Sequence, residues 1–201
     1  MAAHTRYFET NMGLENQRAH PCFLTPEGAK KHPERIYSDH LPILITVPLE
    51  DGTSITIISF NLLNPTTHSG LHDASKNESE WTSNEQTELR YQRIVEGLKA
   101  AIAKHDVSIV LLQEASNEDI LFNLLKQLGP EWCIQISEYG LISCYNRNRF
   151  AISKDKPATS LFDQGHKAHA FNLIELETSL PLSIYNVWGT HSEFPEGHEK
   201  R

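Results

Sequence analysis

The sequence predicts one α/β (α+β) domain, and three observations lead to this prediction. Its 201 residues suit a single domain, and the 39% that are hydrophobic are enough to bury a core. Apolar runs of strand character alternate with two stretches of helical periodicity. After the second helical stretch, only short apolar runs bounded by turn residues follow. We therefore expect strands and helices to alternate at first and strands to dominate the second half.

Residues 1–34 are polar and weakly patterned, which predicts an irregular lead-in before a domain that spans 35–201. The N-terminus lacks the charged-then-apolar order of a signal peptide, and no apolar run is long enough to cross a membrane. The cysteines show no close pairing, as expected for free thiols in a reducing compartment: Cys22, Cys133 and Cys144. We predict a cytoplasmic or other intracellular protein without a transmembrane segment. Secretion by a route without a cleaved signal stays open.

A β-hairpin opens the predicted domain. Apolar residues alternate from Ile43 to Val47, as in a strand with one buried face. The Asp51-Gly52 pair suits a tight turn, because glycine accepts positive φ. The run from Ile55 to Phe60 is apolar on both faces, as in a central strand. We expect the two strands to pair in antiparallel fashion.

A helix and a buried strand follow a long polar loop. Residues Thr87 to Lys104 carry one apolar stripe, which predicts a helix. The run from Val107 to Leu112 predicts a buried strand, and this strand ends in Gln113-Glu114.

The second helix begins after Ser116, a good N-cap, and ends at Gly129-Pro130. The rest of the chain predicts five strands: Trp132 to Ile136, Leu141 to Tyr145, Phe150 to Ser153, Ala170 to Leu176 and Leu182 to Val187.

Polar residues of catalytic type stand at four predicted strand ends: Asp39 with His40, then Asn61, Glu114 and His191. Each alone has a structural explanation, such as a turn-forming asparagine, a solvated carboxylate, a structural Asp–His pair or one of 11 histidines. Their common placement favours a shared site. Oxygen ligands from Glu and Asn suit Mg²⁺ or Mn²⁺, and histidines beside such a metal suit phosphate oxygens. Because the net charge is −8, a phosphate substrate requires a cation or a local basic cluster here.

Six sequence motifs resemble those of the endonuclease/exonuclease/phosphatase superfamily, the deoxyribonuclease I-like proteins. Five follow the family order: ISFNLL (Ile58 to Leu63), ELRYQRIVEGL (Glu88 to Leu98), SIVLLQEA (Ser108 to Ala115), LISCYNRNRF (Leu141 to Phe150) and YNVWGTHSEFP (Tyr185 to Pro195). The sixth, SDHLP, spans Ser38 to Pro42. The resemblance implies a partial four-layer α/β sandwich of the deoxyribonuclease I-like type, with two mostly antiparallel sheets flanked by helices.

The chain departs from the family pattern twice. SDHLP normally closes the domain but here precedes the opening strand, which implies a circular permutation. Chance occurrence, or a remnant of an upstream duplicate, explains its position less well. The family's Gly-Asp-x-Asn motif is absent, together with its general-base Asp. A truncated domain is the favoured explanation; a missing C-terminal half supplied by a partner or by self-association, and loss of catalysis, are the alternatives.

The resemblance implies Mg²⁺-dependent (or Mn²⁺-dependent) hydrolysis of a phosphate ester in the intact protein, with water attacking phosphorus in line. Glu114, helped by Asn61, would bind the metal. His40, oriented by Asp39, and His191 would contact the scissile phosphate. These are the expected metal-binding and catalytic residues.

Two further residues, Tyr145 and Arg147, lie where the family can place substrate contacts, although solvated surface positions explain them at least as well. The substrate stays open between nucleic acid, nucleotide, inositol phosphate and lipid head group. The competing functional hypothesis is a catalytically inactive binding or interaction module on the same scaffold. A third is an unrelated α+β protein with coincidental motifs.

Overall fold

The structure, a computed structural model, describes residues 4–7, 42–49, 52–62, 84–116, 118–137, 140–154, 159–163 and 166–189. These residues form ten strands and two α-helices. In chain order they are β1 (His4–Tyr7), β2 (Ile43–Pro48), β3 (Ser54–Asn61), α1 (Asn84–His105), β4 (Val107–Gln113), α2 (Glu118–Leu125) with a 3₁₀ turn at Lys126–Leu128, β5 (Trp132–Ile136), β6 (Ile142–Asn146), β7 (Phe150–Ile152), β8 (Thr159–Asp163), β9 (His166–Glu175) and β10 (Pro181–Gly189).

The first sheet has six strands in the order β1-β2-β3-β4-β6-β5. All its pairs are antiparallel except β3 with β4, which run parallel. Parallel neighbours need a crossover connection, and α1 lies within this one. In the parallel pair Asn61 stands opposite Gln113, so the C-terminal ends of β3 and β4 meet at one edge of the sheet.

The second sheet is built around β9 and is antiparallel throughout. Strand β10 pairs along one side of β9, while β7 and β8 pair with its two ends on the other side. One face of this sheet is buried by residues such as Phe171 and Leu173. On the opposite face Tyr185 and Val187 are 61% and 54% exposed.

Two apolar cores separate three layers. The first core lies between the helices and the first sheet and includes Ile58, Tyr91, Leu98, Leu112 and Leu125. The second core lies between the two sheets and includes Ile55, Ile109, Tyr145, Phe171 and Leu173. Strands β3 and β4 contribute to both cores because alternate side chains point to opposite faces. This explains why both strands are apolar on both faces.

The predicted fold class is confirmed in this part of the chain: an α+β arrangement with two mostly antiparallel sheets and flanking helices. The helices described cover one face of the first sheet, so three of the four implied layers are present in the described residues. Across the same residues, no helix is both long and apolar enough to pass through a membrane.

The predicted hairpin is also confirmed, since β2 and β3 pair antiparallel from Ile43–Ser59 to Pro48–Ser54. Its turn contains Gly52 at φ 87°. The amide of Leu49 donates to the carbonyl of Thr53 at 2.8 Å and closes the turn. The circular permutation that this hairpin would allow stays a prediction.

Two short strands were not predicted. Strand β1 lies within the segment expected to be irregular, and β8 lies between two predicted strands. With four and five residues, neither carries a sustained apolar alternation. Both pair along a longer neighbour, β2 or β9, so the pairing partner defines them rather than their own pattern.

Candidate active site at the end of the central strands

Asn61 and Glu114 contact each other at the edge where β3 and β4 end. The side-chain amide of Asn61 donates from Nδ2 to Oε1 of Glu114 at 2.6 Å. The contact follows from the topology, since a parallel pair brings both C-terminal strand ends to the same edge. Two residues 53 positions apart in the chain thus form one polar pair.

Both the burial of the Glu114 side chain and the conformation of its backbone cost free energy. The residue is only 7% exposed, and a buried carboxylate is costly unless hydrogen bonds or a cation compensate. Its φ is 56°, in the left-handed region that costs a non-glycine residue about 1–3 kcal/mol. Strain of this kind persists where the surroundings impose it, and it is typical of functional sites.

Backbone hydrogen bonds on both sides of Glu114 impose this conformation. The amide of Leu62 donates to the carbonyl of Gln113 at 2.8 Å, and the amide of Ala115 donates to the carbonyl of Gly140 at 2.9 Å. Gly140 has φ 69°, and a Cβ built on it would come within 2.8 Å of the carbonyl oxygen of Ala115. Only glycine fits here without a shift of the chain beside Glu114.

Trp188, on β10 of the second sheet, is a site residue that the sequence analysis missed. Its indole Nε1–H donates to Oε1 of Glu114 at 2.6 Å, so the indole and Asn61 share one acceptor. The ammonium group of Lys167 lies 4.5 Å from the centre of the Trp188 ring. The signal available in the sequence was its position two residues after Asn186, in alternation with Leu182 and Ile184 of the predicted strand.

A buried polar cluster joins the two sheets next to this site. Gln113 donates from Nε2 to Oδ1 of Asn186 at 2.7 Å. Asn186, fully buried, donates from Nδ2 to the carbonyls of Leu112 and Ile142 at 3.0 and 3.1 Å. These bonds hold β10 against β4. Gln113 comes one position before Glu114, and Asn186 comes two positions before Trp188.

The same cluster extends to a buried histidine. Nδ1 of His169 lies 3.1 Å from Oγ of Ser143, and burial lowers the pKa of this histidine. The lowered pKa keeps the imidazole neutral between the sheets, where an unpaired cation would be costly.

Helix α1 forms hydrogen bonds with the segments that follow β3 and β4, from the other side of the first sheet. The guanidinium of Arg90, which belongs to the predicted arginine-bearing helix, donates to the carbonyl of Leu62 at 2.5 Å. The hydroxyl of Tyr91 donates to the carbonyl of Ser116 and lies 3.0 Å from its Oγ. The segments that follow β3 and β4 are therefore both held by neighbouring residues of one helix.

The histidine and aspartate positions expected here, Asp39, His40 and His191, lie outside the described residues. The strands adjoining them are described. β2 begins with Ile43 opposite Ser59, close to Asn61, and β10 ends one residue after Trp188. The predicted roles of the three residues stay predictions.

Tyr145 and Arg147, the expected substrate contacts, do not lie beside Glu114. Tyr145 pairs with Ile109, five positions before Glu114 and roughly 16 Å away along the strand direction. Its ring stacks on Phe171 in the core between the sheets, and burial, with a smaller contribution from Cys133, raises its pKa to about 12. Arg147 is exposed in the turn after β6. Tyr145 therefore lies in the core and Arg147 is exposed to solvent, because β6 runs away from the sheet edge that carries Glu114.

The donor set suits a hard divalent cation. Glu114 and Asn61 offer carboxylate and amide oxygens, the ligand types that Mg²⁺ and Mn²⁺ take in proteins. In the part of the chain that the structure describes, no three His, Cys, Asp or Glu side chains lie together as a complete metal site.

No protein-family model and no curated protein matches this chain. Solved structures of D. rerio TDP2 do match. One, a complex with a single-strand DNA product, is 14% identical with a TM-score of 0.43 and covers 73% of this chain and 49% of its own. A humanized variant is 12% identical with a TM-score of 0.42 and covers 68% and 49%. The chain thus spans about half the length of these proteins.

At a TM-score below 0.5 the match carries nothing about the activity or substrate of this chain. The resemblance to the superfamily therefore rests on the six motifs.

Proposed function

We propose that this chain carries the metal-binding and phosphate-binding part of a Mg²⁺-dependent or Mn²⁺-dependent phosphoester hydrolase. The observation that supports the proposal most is the 2.6 Å bond between Asn61 and the buried, left-handed Glu114. A bound cation would neutralise charge on the phosphate and on the leaving oxygen. Glu114 would ligate it, and Asn61 would hold the carboxylate in place and lend its amide oxygen.

The phosphate itself would be held by histidines. His40, oriented by Asp39, and His191 would donate hydrogen bonds to phosphate oxygens and stabilise the crowded geometry of in-line attack by water. The strands next to them end or begin at the edge that carries Asn61 and Trp188. The substrate class stays open between nucleic acid, nucleotide, inositol phosphate and lipid head group.

A second candidate function is a binding module without turnover. The specific observation in its favour is the lack of a Gly-Asp-x-Asn motif in these 201 residues. No residue among them corresponds to the general-base Asp of that motif. In the hydrolase the base would come from a further segment or a partner. In the binding module it would be lost.

Calorimetric titration with MnCl₂ and MgCl₂ tests the proposed cation site. We expect the chain to bind one cation and Glu114→Gln to weaken binding at least tenfold, because a neutral amide replaces the carboxylate ligand. Glu88→Gln removes an exposed carboxylate on α1 and serves as the control of equal charge change. A wild-type chain that binds neither cation would overturn the assignment.

Hydrolysis of bis(p-nitrophenyl) phosphate then separates the two functions. Metal-dependent turnover that is lost in both Glu114→Gln and His40→Ala supports the hydrolase. Cation binding without turnover, in this chain and in any longer protein that carries it, supports the binding module. Turnover that survives either substitution would reject the proposed roles.

A further inference from the structure

We infer that Trp188 is a positioning residue for Glu114, and that Lys167, which lies against the indole, strengthens this contact. The second sheet would thereby set the orientation of the carboxylate that the first sheet carries. This inference rests on the proposed cation-binding role of Glu114 and deepens it.

Trp188 lies on the inward face of β10. Its strand neighbours on the same face, Ile184 and Asn186, are buried between the sheets, so the indole also points toward the first sheet. Its N–H reaches Oε1 of Glu114 at 2.6 Å, across 74 positions of the chain. The bond links the C-terminal ends of two strands from different sheets, β4 and β10.

Two hydrogen-bond donors converge on one carboxylate oxygen of Glu114. Asn61 from the first sheet and Trp188 from the second both donate to Oε1 of Glu114 at 2.6 Å. Two donors that approach one oxygen from different directions define the rotation of the carboxylate plane. Both donors are neutral, so they compensate for burial while the carboxylate keeps its negative charge, which a divalent cation needs. An arginine or lysine donor in their place would compete with the cation.

A positively charged side chain lies over the ring of the indole. Lys167 stands directly opposite Trp188 in the β9–β10 pair, with its ammonium 4.5 Å from the ring centre. A cation at this distance is attracted to the π face and draws electron density from the ring. The indole N–H becomes a stronger donor, and the ring is held in one orientation.

A merely structural tryptophan is the competing explanation, because a buried indole N–H usually finds some acceptor. The choice of acceptor separates the two. The amide of Asn186 donates to the backbone carbonyls of Leu112 and Ile142, whereas the indole of Trp188 donates to the carboxylate that the proposed function needs. The test therefore measures the state of Glu114 and not only the stability of the fold.

The first measurement needs no metal. In a ¹H–¹⁵N spectrum, the indole resonance that disappears in Trp188→Phe should move by several tenths of a ppm in Glu114→Gln, since its acceptor loses its charge. It should move less in Lys167→Met. The indole resonance of Trp132, on β5 and away from the site, should stay in place in both variants. An unmoved Trp188 resonance in Glu114→Gln would overturn the inference whatever the protein binds.

The second measurement is cation affinity. Trp188→Phe keeps an aromatic ring for Lys167 but removes the N–H donor together with part of the ring, so a second Trp→Phe variant is needed as the size-matched control. We expect Mn²⁺ binding to weaken about tenfold, as for other residues that orient a metal ligand. Trp132→Phe, the matched control, should change it less than twofold. If the wild type binds Mn²⁺ and Trp188→Phe binds it equally well, the positioning role is wrong while the proposed function stands.

If the wild type binds no cation, the proposed function fails, and the indole spectrum alone decides whether Trp188 holds Glu114. The two failures are therefore distinguishable.

Discussion

Gln113 and Asn186 join the two sheets through a hydrogen bond of 2.7 Å from Nε2 to Oδ1. The next contact along the same two strands is that of Glu114 with Trp188. A buried structural bond and the central bond of the candidate site therefore lie side by side. The packing of the sheets and the geometry of the site depend on the same strand pair, β4 and β10.

Replacement of Asn186 should be strongly destabilising. The Asn186→Leu variant keeps a similar volume but leaves the amide of Gln113 and the carbonyls of Leu112 and Ile142 without this partner. A buried polar group without a partner costs about 1–3 kcal/mol, so we expect a loss of about 3 kcal/mol in the free energy of unfolding. Urea denaturation followed by circular dichroism measures it.

Ser183→Ala on the same strand is the control for that variant. Ser183 is exposed and donates to Asn172 at 2.8 Å on the outer face of the second sheet. Its loss should cost less than about 0.5 kcal/mol. Equal losses in the free energy of unfolding for the two variants would show that the buried cluster stabilises the fold no more than an exposed hydrogen bond does.

A comparison of two glycines should separate backbone strain from steric conflict. Gly52 and Gly140 both have positive φ, 87° and 69°, so alanine is strained at each. A Cβ at Gly52 meets nothing within 4 Å, whereas one at Gly140 meets the carbonyl oxygen of Ala115 at 2.8 Å. We expect Gly52→Ala to cost about 1 kcal/mol and Gly140→Ala clearly more.

Thermal and urea unfolding of both glycine variants provide the measurement. If Gly140→Ala lowers the free energy of unfolding no more than Gly52→Ala, the segment beside Glu114 can shift at little cost. The left-handed conformation of Glu114 is then not imposed by its neighbours.

His169 should make the protein less stable in mild acid. Burial lowers its pKa below the ordinary value of 6.5, so the unfolded chain binds a proton that the folded chain does not. The stabilisation is therefore complete above about pH 6.5 and is lost as the pH falls from there through the folded-state pKa. Chemical unfolding of wild type and His169→Gln between pH 8 and pH 5 measures it.

The His169→Gln variant keeps a polar side chain near Ser143 but has no proton to gain. The wild-type curve should fall more steeply than that of the variant below about pH 6.5. Parallel curves over the whole range would contradict the lowered pKa.

Cys144 should be unreactive in the folded protein. It is fully buried in the helix-side core, and this burial, with a smaller effect of Cys133, raises the pKa of its thiol to about 12. Because the thiolate is the reactive form, alkylation at pH 8 requires the protein to open. Iodoacetamide labelling read by peptide mass spectrometry should modify half-buried Cys133 first and Cys144 only with added urea. Rapid native labelling of Cys144 would contradict this packing.

Much of the fold could be predicted because its elements carry local patterns. The β2–β3 hairpin follows from two apolar runs and one glycine turn, and helix α1 follows from one apolar stripe. Strand β4 could be recognised from its nearly continuous apolar run, which agrees with the burial of all seven residues. Asn61 and Glu114 were predictable as neighbours because each comes at the end of such a strand.

The structural features that were not predicted share a different origin. Tyr145 lies within a recognisable strand, and only the direction of β6 places it in the core between the sheets, while its role as a substrate contact stays a prediction. Strands β1 and β8 have too few residues for a periodic signal and exist through their partners. The left-handed backbone of Glu114 depends on Gly140, 26 positions later in the chain.

The sequence alone determined the succession of strands and helices and the polar residues at their ends, because spacing along a few residues decides which side chains are buried. Tertiary structure decided that Trp188 of the second sheet meets Glu114 of the first, at 2.6 Å across 74 positions. No local pattern encodes such a contact. It arises from the way two twisted sheets pack, and this packing places the indole, the asparagine and the carboxylate around one oxygen atom.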